Sequence, residues 1–360
     1  MINRNSTHPL YQQLYETFKQ NIQDGKWIEQ LPPETELCEI YDVSRGTLRQ
    51  ALSLLETDGY LSRERGRGTF INRQRNANSL PTMSSALAFI VPYVRDSFVT
   101  SILTGIERAT TEAGHPLTFR HVSNDINQQE NALNDLRDGL YAGVVLYPVD
   151  SKHYEQVTRM VTQGYPIILV DRYLDNVATD YVVADNFGGG LQATQHLLAL
   201  GHQRIGFVTW EDASTSLIHR ELGYRQAMAE YQLSVTDAMV AKVSSYPDID
   251  AEPLAAYLRD NQISAVFAAN DQIAIALFRV VNDMGLSVPE DISIVGFGNL
   301  DEIAYLNTPL TTVAVPAEEI GYTAGKMLIE RLNNNNQNRQ RVILPTQLMI
   351  RGSTESVFNE

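Results

Sequence analysis

Cysteine is almost absent from this chain of 360 residues, which has one, Cys38. A single cysteine excludes internal disulfide bonds and the cysteine-rich sites that hold structural zinc. Long apolar runs are also missing, since no stretch approaches the roughly 20 residues that span a bilayer as a helix. The N-terminus lacks the apolar core of a signal peptide. We therefore expect a protein of the cytoplasm.

The motifs of common enzyme classes are missing as well. The chain has no Gly-x-Ser-x-Gly elbow, no His-Glu-x-x-His helix and no Walker-type phosphate loop. Gly188-Gly189-Gly190 lacks the spacing of a phosphate loop, and close packing of a helix on a sheet explains it better. His196 and His202 have no cysteine nearby. We expect no enzyme, no cofactor and no metal site.

Basic charge is scarce and unevenly distributed. The net charge is −15, from 28 Lys/Arg and 43 Asp/Glu, which argues against a chain that holds nucleic acid by bulk electrostatics. Residues 1–75 carry ten residues of each sign, so the whole excess of acid lies downstream. Near the end of that neutral part, five arginines surround a glycine-rich turn: Arg63, Arg65, Arg67, Arg73 and Arg75. This basic stretch is suited to contact with phosphates.

The first 72 residues have the pattern of three helices and a β-hairpin. Apolar residues that recur every four positions predict the first helix: Leu10, Leu14, Phe18 and Ile22. A short second helix follows two prolines and ends near Tyr41. Ser44 is a good N-cap for a third helix. One face of that helix is apolar: Leu48, Ala51, Leu52 and Leu55.

The third helix carries polar side chains at its start. Two short helices, the second presenting Arg45, Arg49 and Gln50, match the helix-turn-helix arrangement. An arginine fork can donate two hydrogen bonds to guanine, and glutamine can pair with adenine. Alone, these side chains fit a solvated helix face equally well, but the arginine-rich hairpin favours double-stranded DNA. A head that contacts a protein instead is the alternative.

Several short motifs between residues 8 and 72 carry a family resemblance: Pro9-Leu10-Tyr11, Leu31-Pro32, Val43-Ser44-Arg45 and Gly66-Arg67-Gly68-Thr69-Phe70. They resemble the winged helix-turn-helix of GntR-type regulators. The resemblance implies DNA contacts from the third helix, with the wing tip in the minor groove. With the side chains named above, the predicted DNA-binding set is Ser44, Arg45, Thr47, Arg49, Gln50, Arg65, Gly66 and Arg67.

A change of pattern separates residues 1–72 from residues 86–360. Residues 73–85 lack apolar periodicity and are interpreted as a linker. Beyond them, short apolar runs alternate with amphipathic segments. The predicted strands are 87–91, 117–122, 144–147, 167–170, 182–184, 205–208, 266–268 and 292–295, and the predicted helices are 97–113, 127–138, 151–163, 187–200, 215–231 and 271–284. This alternation predicts an α/β fold of two doubly wound lobes, after a small α+β head.

Polar residues follow several of these strands, where ligands of parallel sheets bind. Asp171-Arg172, Asp185 and Asn270-Asp271 come directly after strands, and Arg220 opens a helix. Carboxylate, amide and guanidinium groups suit a polyhydroxylated ligand, because each hydroxyl both donates and accepts. Asp185 and Asp271 fit helix caps equally well.

The large domain carries a second resemblance, through motifs that include Pro166-Ile167-Ile168-Leu169-Val170-Asp171-Arg172, Ala269-Asn270-Asp271 and Val288-Pro289-Glu290-Asp291-Ile292-Ser293-Ile294-Val295-Gly296-Phe297. They resemble the LacI/GalR effector domain, which is similar to type I periplasmic binding proteins. The family has an acid directly after the Gly-Phe pair, whereas this chain has Gly298. Either Asn299 or Asp301 replaces it, or the ligand differs. The effector set implied is Tyr93, Phe98, Asp171, Arg220, Tyr246, Asn270, Asn299 and Asp301.

The pairing of these two domains resembles the arabinose repressor group. It implies a homodimeric transcriptional repressor of carbohydrate-utilisation genes, which a sugar inducer such as L-arabinose releases from its operator DNA. A regulator that responds to a phosphorylated sugar or a purine, as a corepressor or an inducer, is the alternative.

Overall fold

The computed structural model describes residues 9–23, 26–27, 30–57, 60–64, 68–71, 85–211, 214–243, 249–333 and 338–358. The chain divides into two compact units, Met1–Ser84 and Ser85–Glu360. The expected linker lies, apart from Ser85, outside the described residues. No helix in the described ranges has the length and apolar character that crossing a membrane requires.

The first unit is a three-helix head with a β-hairpin. Its elements are α1 Leu10–Gln23, α2 Glu34–Tyr41, α3 Arg45–Thr57, β1 Leu61–Glu64 and β2 Gly68–Ile71. The apolar face of α3 is buried as predicted, and Leu48 and Leu52 pack in one core with Leu14 and Phe18 of α1. The two strands pair antiparallel, with Leu61 opposite Ile71. The head therefore has the predicted helix-turn-helix order.

The second unit has two lobes, each built on a six-stranded sheet. In the first lobe all neighbouring strands are parallel, in the order β13-β7-β6-β5-β3-β4. Its strands are β3 Leu87–Val91, β4 Leu117–His121, β5 Gly143–Leu146, β6 Ile167–Val170, β7 Asp180–Ala184 and β13 Arg341–Leu344. Its helices are α4 Ser97–Glu112, α5 Ile126–Arg137, α6 Glu155–Thr162 and α11 Ala317–Asn333.

The second lobe repeats this plan, with the strand order β14-β12-β11-β10-β8-β9. Its strands are β8 Ile205–Trp210, β9 Val240–Val243, β10 Ala265–Ala268, β11 Ser293–Gly298, β12 Thr311–Ala314 and β14 Gln347–Met349. Its helices are α7 Asn186–Ala199, α8 Thr215–Glu230, α9 Ala251–Asp260 and α10 Asp271–Asp283, with 3-10 turns at Asp237–Met239 and Asp301–Tyr305. Only β14 pairs antiparallel in this sheet. The predicted α/β class with two doubly wound lobes is confirmed.

The chain passes between the lobes after β7, after β12 and after β13. At the first crossing Asp185 caps α7, because its carboxylate accepts a hydrogen bond from the Gly188 amide at 2.8 Å. Of the two interpretations left open for Asp185, the structure shows the cap. Parallel strands of both lobes end near these crossings, so the crossings bring the strand ends of two sheets to one cleft.

Candidate functional site: the interlobe cleft and the third helix

A cavity of about 540 Å³ lies between the two lobes. Predicted effector residues from both lobes line it together: Tyr93, Phe98, Asp171, Arg220 and Asn270. These five residues come from separate parts of the chain, up to 177 positions apart. The cavity is therefore the candidate ligand site of the second unit.

Arg220 is held in the cleft wall by three separate contacts. Its Nε donates to Oδ1 of Asn186 at 2.8 Å, and its Nη1 donates to the carbonyl of Ala269 at 2.7 Å. The guanidinium carbon lies 3.8 Å from the ring centre of Phe297. Burial lowers the pKa of Arg220 from its ordinary value, and the charge of Asp171 counters this. Within the described ranges Nη2 has no protein partner, so this nitrogen is available to a ligand.

Asn270 and Asp271 follow the same strand but have different surroundings. Oδ1 of Asn270 accepts from the Ile273 amide at 3.0 Å and so caps α10, which leaves the amide nitrogen as a donor. Asp271 is fully buried and accepts from the Leu300 amide at 2.8 Å and the Thr312 hydroxyl at 2.6 Å. Burial raises the pKa of Asp271. Asp271 is neither the helix cap nor part of the cavity lining; it joins α10 to the loop after β11.

The first lobe contributes a carboxylate and two phenols. Asp171 is only 7% exposed and has a left-handed backbone conformation with φ of 65°. Nε of Arg172 donates to its carboxylate at 3.4 Å. The hydroxyls of Tyr93 and Tyr147 are 2.6 Å apart, and burial raises the pKa of Tyr93 to about 12. Both phenols therefore stay protonated near neutral pH, since burial raises the pKa of Tyr147 well above its ordinary range too.

Hydrogen bonds join the lobes on both sides of the cavity. Nε2 of Gln272 donates to the carboxylate of Asp96, and burial raises the pKa of Asp96 to about 6. The amide and hydroxyl of Ser97 donate to Glu302 at 3.0 and 2.8 Å. On the other side, the Tyr173 amide donates to the Thr215 hydroxyl at 3.0 Å. Sequence reasoning did not predict these contacts, because each joins residues at least 42 positions apart.

Asn299 and Asp301 are not among the residues that line this cavity, and the expectation that one of them replaces the missing acid stays a prediction. Gly298 has φ of 134° and Asn299 φ of 56°, which turns the backbone after β11 so that Gly298 and Leu300 line the cavity. Oδ1 of Asn299 instead accepts from Nη2 of Arg351 at 2.6 Å. Asn299 and Asp301 line a second cavity of about 660 Å³, beside α4 and the start of α11.

One predicted aromatic residue of the cleft, Tyr246, lies outside the described residues. The structure adds other residues to the lining that sequence reasoning did not assign to the site: Asp96, Tyr147, Gln272 and Phe297. Asp96 caps α4, which hides its position in the cleft behind an ordinary helix-start signal. Tyr147 and Phe297 lie at or just after strand ends, where an apolar residue is indistinguishable from the strand core.

The start of α3 presents the predicted DNA-binding side chains. Arg45, Arg49 and Gln50 are exposed, and Thr47 is half-buried. The hydroxyl of Ser44 accepts from the Thr47 amide at 3.2 Å, which confirms Ser44 as the N-cap. Nε of Arg49 donates to Glu34 of α2 at 3.0 Å.

The wing residues Arg65, Gly66 and Arg67 lie outside the described residues. The structure describes the two strands of the wing, β1 and β2, and β1 starts four residues after the end of α3. The strands pair from Leu61 opposite Ile71 to Glu64 opposite Gly68. Their pairing brings the two ends of the turn together. The predicted contact of the turn with phosphates stays a prediction.

Comparison with protein-family models matches both units. Residues 10–71 match the gntR family of bacterial regulatory proteins, and residues 194–354 match a periplasmic binding protein-like domain. The matched ranges cover the described head and most of the second lobe. The fold and the order of domains expected from the sequence are thereby supported independently.

Two known proteins are similar to this chain over nearly its whole length, and a solved structure is similar to about three quarters of it. An arabinose metabolism transcriptional repressor of Geobacillus stearothermophilus is 28% identical over 98% of this chain and 100% of its own length. The protein of the same name from Halalkalibacterium halodurans is 26% identical over 91% of each chain. A crystal structure of a LacI family transcriptional regulator from Enterococcus faecium with bound ribose is 27% identical, with a TM-score of 0.68, over 76% of this chain and 100% of that one.

Proposed function

This chain joins a gntR-type DNA-binding head to a periplasmic binding protein-like domain, and we propose that it is a sugar-responsive transcriptional repressor. Its head binds operator DNA, and a sugar that enters the interlobe cleft releases the head. Similar proteins are named as repressors of arabinose metabolism, and L-arabinose is the inducer we propose.

The observation that carries the proposal is the convergence of donors and acceptors in one aromatic-walled cavity. Nη2 of Arg220 and the amide nitrogen of Asn270 are donors, and the carboxylate of Asp171 is an acceptor. Sugar hydroxyls need both kinds of partner, and a ring face needs apolar surface such as Phe98. The cavity therefore suits a polyol in composition.

The charges that line the cleft favour a neutral sugar over a phosphorylated one. The charged side chains in the lining are those of three arginines, Arg95, Arg172 and Arg220, and four acids, Asp96, Asp150, Asp171 and Glu211. A phosphate group carries close to two negative charges at neutral pH. Placing a phosphate beside four carboxylates is unfavourable unless a proton is taken up.

We propose that the protein acts as a homodimer whose two heads bind the half-sites of a pseudo-palindromic operator. Ser44, Arg45, Thr47, Arg49 and Gln50 contact the DNA from α3, with Arg65, Gly66 and Arg67 in the wing. Ligand binding stabilises the joined lobes and so changes the spacing of the heads. A coupling free energy of about 1–3 kcal/mol per site is enough to change operator occupancy severalfold or more.

The experiment that tests this function is a thermal-shift screen followed by DNA release. A ligand that binds only the folded chain must raise its melting temperature. We expect L-arabinose to raise it and to release a DNA fragment that the protein has selected from a random pool. Shifts only with sugar phosphates or purines would contradict the neutral-sugar assignment, and tighter DNA binding with L-arabinose would contradict the inducer sign.

A further inference from the structure

The run Gly188-Gly189-Gly190 opens α7 directly beneath the cleft. Alanine is a better helix former than glycine, so three glycines in a first helical turn are not explained by helix formation. Each of them adjoins a different neighbour. Gly188 leaves space for the capping carboxylate of Asp185. Gly189 adjoins the ring of Phe297, and Gly190 adjoins the backbone of Arg220.

Gly190 contacts the main chain of Arg220 itself. A Cβ atom at position 190 would overlap the carbonyl oxygen of Arg220 and lie 3.0 Å from its Cα. Gly223, one turn further along α8, faces back: a Cβ there would overlap the carbonyl of Phe187 and lie 2.6 Å from the amide of Leu191. Helices α7 and α8 therefore touch backbone to backbone at the turn that carries Arg220.

Gly189 contacts the ring on which the guanidinium lies. A Cβ at position 189 would lie 2.7 Å from a ring carbon of Phe297 and 2.9 Å from the hydroxyl of Thr346. The same ring supports Arg220 at 3.8 Å. The first residue of the helix, Asn186, accepts the Nε hydrogen bond of Arg220 and donates to the Ala184 carbonyl at 3.1 Å. The start of α7 therefore contacts Arg220 in three ways: at its backbone, at the ring on which its guanidinium lies and at a hydrogen bond to its Nε.

We propose that Gly189 and Gly190 are positioning residues for ligand recognition. Their missing side chains let α8 and Phe297 approach closely enough to aim Nη2 of Arg220 into the cleft. A methyl group at position 190 displaces the arginine backbone, and one at position 189 displaces the ring. The ligand-binding part of this proposal rests on the proposed function; the placement of Arg220 does not.

A matched control exists in the first lobe. Gly105 of α4 is also a helical glycine whose added Cβ would overlap a carbonyl oxygen of a neighbouring helix, that of Glu318 in α11. Gly105→Ala therefore imposes the same kind of overlap between two helices without contacting Arg220. A general loss of stability is expected in both variants, so only a readout specific to Arg220 separates them.

The test is the ¹H–¹⁵N spectrum of arginine side chains in the ligand-free full chain. The Nε–H signal of Arg220, identified by its absence in Arg220→Lys, is expected apart from those of exposed arginines, because this group is buried, donates to Asn186 and belongs to a guanidinium that lies on Phe297. Gly105→Ala should leave this signal in place, and Gly190→Ala should move it toward the exposed arginines. If Gly190→Ala does not fold, Gly189→Ala serves instead, since its methyl group meets only side-chain atoms.

An unchanged Arg220 signal in the folded glycine variants overturns the proposal, as does an equal change in Gly105→Ala. Calorimetric titration with L-arabinose then extends the test to binding. We expect the Kd to rise about tenfold or more in Gly190→Ala, as for loss of a hydrogen bond to a charged donor, and less than about threefold in Gly105→Ala. If the parent chain binds no L-arabinose, the inducer assignment fails, and the spectrum still decides the role of the glycines.

Discussion

At the scale of single residues, the polar side chains near the cleft are of two kinds. Some have all their hydrogen-bond partners within the protein, and others keep a group that can bind a ligand. Asp185 and Asp271 both follow strands and are carboxylates, yet one caps a helix and the other is buried with two protein donors. Arg220 is buried too, but one of its terminal nitrogens has no partner in the described part of the chain. The role of Arg220 in ligand binding can therefore be tested separately from its contribution to the stability of the fold.

Replacing Arg220 by alanine should remove the response to sugar and leave DNA binding intact. The reason is that Arg220 lines the cavity, while α3, the proposed recognition helix, belongs to the other unit. We expect DNA release by L-arabinose, followed by fluorescence anisotropy, to disappear. Arg225→Ala is the control, since Arg225 lies on the same helix and pairs with Glu221 of that helix. A normal sugar response in Arg220→Ala would remove this arginine from the site.

Asp96 makes the stability of the large unit depend on pH. Burial raises the pKa of Asp96 from 3.8 to about 6. The protonated side chain therefore contributes fully to the free energy of unfolding below pH 3.8, and this contribution is lost as the pH rises through about 6. Asp96→Asn keeps one oxygen that can still cap α4, and its side chain no longer ionises. Relative to the parent chain, the variant should therefore gain about 1–3 kcal/mol of unfolding free energy between pH 4 and pH 7.

Urea unfolding at several pH values measures this difference. Asp138→Asn is the control, because Asp138 is an exposed carboxylate that pairs only with its neighbour Arg137 among the described ion pairs. A constant difference between Asp96→Asn and the parent chain across this pH range would show that Asp96 does not titrate within it.

At the scale of elements, the described head is three helices and a hairpin around one core. The apolar faces of α1 and α3 could be predicted from the sequence because each is continuous along its helix and packs in the same core. In the large unit the helices α9 and α11, the inner strand β12 and the three edge strands β9, β13 and β14 were not predicted. The three strands lie at sheet edges, are three or four residues long and contain exposed positions, so they lack the apolar run that marks a central strand.

The recognition element can be tested through α3. Arg45→Ala and Arg49→Ala should each weaken binding to the selected DNA fragment by about tenfold or more, through loss of a bidentate base contact. If one of them contacts a phosphate instead, all sequences should be affected equally and the salt dependence should fall by about one unit of slope.

Fluorescence anisotropy at several salt concentrations distinguishes these outcomes. Arg137→Ala on α5 is the control for loss of one exposed positive charge, since Arg137 belongs to the other unit. Full operator binding by both α3 variants would mean that α3 is not the recognition helix.

At the scale of the whole molecule, the chain has two units with separate cores, to which we have assigned DNA binding and ligand binding. The large unit contains both lobes and the cleft, and its contacts do not depend on the head for a core. In the homodimer that we propose, the large units form the interface, and the heads gain affinity because two of them are held together.

Dimerisation can be measured on residues 80–360 alone. We expect this fragment to fold, since the unit Ser85–Glu360 has its own cores, and to sediment as a dimer with the ligand response of the full chain. The fragment 1–75 should bind the selected DNA far more weakly than the full chain, because the second head is lost. A monomeric large fragment would place dimerisation in the heads or on the DNA.

The sequence by itself determined the order of domains, the parallel two-lobed architecture and the exposed start of α3. These follow from periodicity, caps and turns, which are local properties of the chain. Tertiary structure alone decided which strand-end residues meet. Asn299 and Asp301 line a second cavity, while Asp96, Tyr147 and Phe297 line the cleft. The physical reason is that the cleft joins residues from two sheets, and three chain crossings and contacts between backbones set their positions.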